Sequence, residues 1–212
     1  MNTSMPDLAH LLEHHMESSH FEPLPRLHQF RRTTPFGFQC VILSVSTYED
    51  LELVEFHLGI RFDQVEQMAF SFTNGLTGFQ ADSTTLITPL GRILGQEPLR
   101  YKIRHPDDVR SVVETFWMHF QSRGLPFFER FEKIKSLDTL FNAAPEEPCP
   151  WVNNLFHPAF RGLAVGALLA RDDLAVLIEQ HRAALHRFGA YGRIIENYNR
   201  LARYLLDYLH PN

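Results

Sequence analysis

Apolar residues recur along this chain with two different periods, and the change falls near Pro106. Over residues 5–17, Leu8, Leu11, Leu12 and Met16 make one helical stripe, and Ser4 followed three residues later by Asp7 has the spacing of a capping box. Pro23 and Pro25 then break the regularity. Strands are predicted from His28 to Arg104. Residues 38–47 hold the unbroken run Val41-Ile42-Leu43, the pattern of a central strand covered on both faces. Residues 53–62 alternate instead. Val54, Phe56, Leu58, Ile60 and Phe62 take one face, and Glu55, His57, Gly59 and Arg61 the other. The short polar stretch 47–51 suits a hairpin between these two strands. Asp63 and Glu66 suit the start of a short helix near 64–70, Asn74-Gly75 marks a turn, and 84–88 and 99–104 are further strands.

Beyond Pro106 the period is that of a helix. Pro106, Asp107 and Asp108 suit a first turn, and Val109, Val112, Val113, Phe116, Trp117 and Phe120 follow on the side expected to face the core. Gly124 is expected to close that helix. A shorter helix is predicted at 126–135 and a turn at 136–141. Residues 142–157 read as a long connection with three prolines. Two helices at 158–170 and 173–188 are separated by Arg171-Asp172-Asp173, where an Asp can serve as N-cap. The last helix, 190–209, carries Ile194, Tyr198, Leu201, Leu205 and Tyr208 on one stripe. The expectation is an α+β fold, with a mainly antiparallel sheet in the N-terminal half packed against a predominantly helical C-terminal half. One domain is expected over 1–212, its N-terminal helix and sheet running to about 104 and its helical portion from about 105.

Composition narrows the function classes. Hydrophobic residues are 44% of the chain and charged residues 21%, and eighteen of the 212 residues are Phe, so a core rich in aromatic rings is expected. Basic residues number 20 against 25 acidic, and neither half is cationic, with 8 against 12 up to Arg104 and 12 against 13 after it. A nucleic-acid binder would show a basic face, so that class is set aside. Two cysteines, Cys40 and Cys149, are too few for a disulfide framework. The N-terminus has no secretory pattern and no apolar stretch approaches a membrane span, so no membrane association and a cytoplasmic location are expected.

Four constellations are candidates for chemistry. His10-Leu11-Leu12-Glu13-His14 fits the H-x-x-E-H arrangement and over those five residues resembles the inverted zincins, which implies a zinc held by His10 and His14. On the predicted helix those residues lie opposite the Leu8, Leu12 and Met16 stripe and face solvent, so no metal and no cofactor is expected. Glu55 and His57 share one strand face with Arg61, where a carboxylate can orient an imidazole for acid–base work. Arg100, Lys102 and Arg104 make a cationic row at period two, suited to a phosphate or an acidic strand, or to a solvated sheet edge. Finally, residues 151–161 bring Trp151, Asn153, Asn154, His157 and Arg161 into and just beyond the longest connection, a hot-spot composition for a partner surface.

No G-x-S-x-G elbow, phosphate loop, G-x-G-x-x-G or C-x-x-C appears. The residues therefore point first to a non-enzymatic protein-binding module, of the kind of a small bacterial cytoplasmic inhibitor or immunity protein. The alternatives are a hydrolase using Glu55 and His57, or a metal at His10 and His14, and a small-ligand sensor.

Overall fold

The N-terminal stripe folds as expected, for Leu8, Leu12 and Met16 are fully buried along α1 (Met5–Glu17). Its expected capping box does not form. Ser4 donates from both its amide and its hydroxyl to one Glu52 oxygen, so the hydroxyl is not available to cap the helix. Burial works to raise the Glu52 pKa, but those two bonds and one from Thr47 outweigh it and hold the carboxyl below its ordinary value.

This computed structural model describes residues 4–73 and 77–209, so the Asn74-Gly75 turn lies outside the described residues. The fold is α+β, 55% helix and 19% strand, with an antiparallel sheet in the N-terminal half and helices mostly C-terminal. The strands are β1 (Glu22–Leu24), β2 (Gln29–Thr34), β3 (Gly37–Thr47), β4 (Glu52–Phe62), β5 (Leu86–Pro89) and β6 (Tyr101–Ile103). They follow the order β1-β2-β3-β4-β5, and β6 pairs with the first three residues of β4. β1 and β2 carry no strand-like run of apolar residues, and their pairing registers, such as Phe30 opposite Val41, supply what the local pattern lacks. Phe38, Gln39, Cys40 and Val41 are buried in succession, as a two-sided central strand requires.

The remaining helices are α2 (Asp63–Ala69), α3 (Leu90–Leu94), α4 (Asp108–His119), α5 (Leu125–Arg130), α6 (Ile134–Asn142), α7 (His157–Leu168), α8 (Leu174–Arg187) and α9 (Arg193–Leu209). The chain gathers into two compact units, one of Met1–Ile60 and Ile87–Arg130, the other of Arg61–Leu86 and Phe131–Asn212.

Aromatic rings fill the first unit. Phe116 on α4 is fully buried and stacks on Phe56 at 3.9 Å between centroids, and Phe120 meets Phe116, Phe21 and Phe128. Rings buried to this degree contribute about 1.5–3 kcal/mol each. Trp117 is only half-buried, stacked on His15 at 5.1 Å, so the core-facing arc of α4 is narrower than its apolar sequence implies. Gly124 does not close the helix. A five-residue π-helical turn, Phe120–Gly124, leads straight into α5. A Cβ at Gly124 would lie 2.6 Å from the Phe120 ring, so the glycine serves close packing rather than termination.

The second unit is built around α7, in which every residue from 158 to 167 is buried, as expected of a helix that is apolar all round. The predicted turn at 136–141 is instead helix α6. Leu137 and Phe141 are buried one turn apart, and that packing overrides the helix-neutral Ser136, Asp138 and Thr139. Asn142 at its end donates to Asp138 and to the Gly162 carbonyl, and accepts from His181 Nε2 at 2.8 Å. A Cβ at Gly162 would stand 2.5 Å from Asn142 Oδ1, so α7 passes this polar cluster only as glycine. Burial pushes the His181 imidazole down to about 4. Asp173 stands at the N-cap of α8 without a side-chain cap, because both its oxygens accept from Arg171.

Candidate functional site

A single charge in the middle of an apolar helix has to find a counter-charge, and α7 carries one such residue, Arg161. It is 6% exposed, and its Nε and Nη2 each donate to Glu66 of α2 at 2.9 Å. Glu66 sits in the line Phe62, Glu66, Phe70, and is fully buried. Its carboxylate also accepts from the Ser83 hydroxyl at 2.8 Å and the Thr85 hydroxyl at 3.1 Å, so its lone pairs are filled. The network continues outward. Ser83 Oγ accepts from Arg61 Nη1, and Arg61 Nε donates to Asp63 at 2.6 Å.

His157 opens α7 ahead of Pro158, at the end of the long connection. Its Nε2 donates to the Thr85 carbonyl at 2.8 Å, which fixes the proton on Nε2 and leaves Nδ1 as a lone-pair acceptor. Burial, and after it the Arg161 charge, push the imidazole down to about 3, although the bond to Thr85 works the other way. At neutral pH this ring is uncharged. Asn154 turns the chain into the helix by accepting from the Phe156 amide at 2.9 Å and the His157 amide at 3.3 Å.

These three residues, Asn154, His157 and Arg161, line one cavity of about 360 Å³ within the second unit. Its apolar walls are Phe70 and Phe72 from the 3₁₀ turn after α2, Phe156 and Phe160 beside the polar groups, and Ile194 of α9. Ligand pockets commonly combine this size, apolar walls and a few convergent polar groups. The structure thus brings together three of the five residues expected at 151–161. Trp151 lies elsewhere in the unit, half-buried with its ring edge-on to Phe131 at 6.4 Å, and Asn153 is exposed. Arg161 reaches the cavity from a buried position and does not stand on the outer surface.

The other constellations lie in the first unit, except for Arg61, which belongs to the second. Glu55 accepts from Arg100 Nε at 2.6 Å, while His57 Nε2 stands 3.8 Å from the other oxygen, beyond hydrogen-bond reach. Burial pulls the His57 pKa down against the opposing pull of Glu55. Arg61, expected on the same open face, is buried, because the second face of β4 is covered from Leu58 onward. Lys102 and Arg104 are exposed. His10 and His14 are exposed on α1, with His10 Nδ1 3.7 Å from Glu13. Among the described residues no three His, Cys, Asp or Glu side chains gather to hold a metal, and no helix is long and apolar enough to cross a membrane.

Glu66 was legible only as a residue near a helix start. The signals that mark it are its place in an apolar i−4, i, i+4 line and the lone charge of α7, 95 residues away. Neither falls within a local motif. No protein-family model, curated protein or solved structure matches this chain.

Proposed function

We propose that the chain is a non-enzymatic protein-binding module and that the cavity beside Asn154, His157 and Arg161 is its recognition site. One observation carries this reading. The cavity has apolar aromatic walls, yet the acid–base groups at and behind it, His157 and Glu66, are already committed to neighbours. Glu66 is filled by Arg161, Ser83 and Thr85, and His157 is uncharged and held by a backbone carbonyl. Such groups orient a bound partner, whereas a general acid or base must be free to exchange its proton near neutral pH. The mild net charge of −5 and the small size of the chain suit an inhibitor of the immunity type acting on a protein in the cytoplasm. The cavity volume favours the small-ligand sensor as the second reading.

A photo-crosslinking residue placed at 154 or at 194 is expected to capture the same protein, with the same residue at 10 as the control. With that protein purified, Ile194→Trp, which fills the cavity, is expected to weaken the complex by about 1.4 kcal/mol or more while the melting temperature stays near wild type. A complex that forms equally well with Ile194→Trp, or that crosslinks only at 10, overturns the assignment.

A further inference from the structure

A guanidinium carries five N–H donors in a rigid fork. Arg161 gives Glu66 one donor from Nε and one from Nη2, the side-on arrangement. That leaves the end-on edge, Nη1 with the second Nη2 hydrogen, and Nη1 has no protein partner among the described residues. Nor is Nη1 among the fully buried polar atoms that lack a partner, so it keeps some accessible surface, and Arg161 lines the cavity. Ser83 also links Glu66 to Arg61, which carries its own ion pair with Asp63 at 2.6 Å. The open cationic edge at the cavity is therefore that of Arg161, and Arg200 adds a cation 5.9 Å from the Phe72 ring that walls the same cavity. The positive field of Arg161 is felt at His157, where it helps keep the imidazole uncharged.

We propose that this cavity receives a carboxylate carried on an aromatic body. The carboxylate takes the end-on edge of Arg161, and the ring lies against Phe70, Phe72, Phe156 and Phe160. Paired oxygens match the paired donors of that edge, and charge assistance roughly doubles the strength of such bonds. The inference rests on reading the cavity as a binding site. A free aromatic acid and a polypeptide ending in an aromatic residue present the same chemistry.

The test is calorimetric titration of the full chain with phenylacetate and with the isosteric phenylacetamide. Phenylacetate is expected to bind about tenfold more tightly and to lose that advantage as salt rises. A pentapeptide ending in Phe, with a free or an amidated C-terminus, separates the two sources. Tighter binding of the free-acid peptide than of phenylacetate identifies a chain end, and binding of phenylacetate alone identifies a small acid. Ile194→Trp should abolish all of these signals. If that variant does not fold, amide shift changes in the wild-type NMR spectrum localise the ligand instead. Shifts centred on Phe156, Phe160 and Ile194 support the site, and shifts elsewhere overturn it. Equal binding of acid and amide, lost in Ile194→Trp, overturns the carboxylate assignment but leaves the binding-site reading standing. Binding of neither compound overturns the inference, while the crosslinking experiment still decides the broader reading.

Discussion

The pair His10–Glu13 on α1 and the pair Arg161–Glu66 in the second unit use similar groups under opposite solvation. The first spans 3.7 Å with side chains 83% and 46% exposed, and the second makes two bonds of 2.9 Å with side chains 7% and 0% exposed. Water screens the exposed pair, so it contributes next to nothing to stability. The buried pair has given up hydration on both partners, so its Coulomb energy is offset when both are present and strongly felt when one is removed. The exposed pair is conspicuous in sequence as part of H-x-x-E-H, whereas Arg161 and Glu66 become neighbours only through folding.

Breaking the buried pair should give the largest effect. Arg161→Ala leaves Glu66 buried and missing two donors, and is expected to cost about 3–5 kcal/mol in chemical denaturation. The double variant Arg161→Met with Glu66→Leu should recover most of that loss. A single variant that keeps the wild-type midpoint would show that the pair is solvated in solution.

A smaller effect is expected from pH, again from the second unit. His157 and His181 have folded pKa values of about 3 and about 4, below the ordinary value near 6.5 that applies when unfolded. The unfolded chain therefore binds protons that the fold refuses. Stability from these groups is complete above about pH 6.5 and falls as the pH drops toward 4. From pH 7 to pH 5 each histidine is expected to contribute a loss of up to about 2 kcal/mol, and denaturation midpoints across that range check it. His181→Gln, which can still donate to Asn142, should flatten the slope. An unchanged slope would place the pH dependence elsewhere.

The smallest effects belong to the first member of the comparison. His10→Ala and His14→Ala should shift stability by no more than about 0.5 kcal/mol. A larger loss, or one restored by added zinc, would give that helix face a structural duty its exposure argues against.

The elements themselves were largely legible. The 3.6 period over α1, α4 and α9 and the alternation along β4 reflect local burial that any packed partner would enforce, so they are written into residue order. β1, β2 and α6 were not, because their registers and buried faces come from neighbours distant in sequence rather than from their own patterning. Within the candidate site, Asn154 and His157 were readable as polar groups of a long connection, while Glu66, Ser83 and Thr85 were not.

By itself, then, the residue order determined the fold class, the approximate place of most helices and strands, and the isolation of one arginine in an apolar helix. Only the tertiary structure decided where that charge is neutralised, which edge of its guanidinium stays open, and which rings wall the cavity. The physical reason is range. Periodicity and capping act over a few residues, whereas the low dielectric of a folded interior acts on groups that the chain brings together from 95 residues apart.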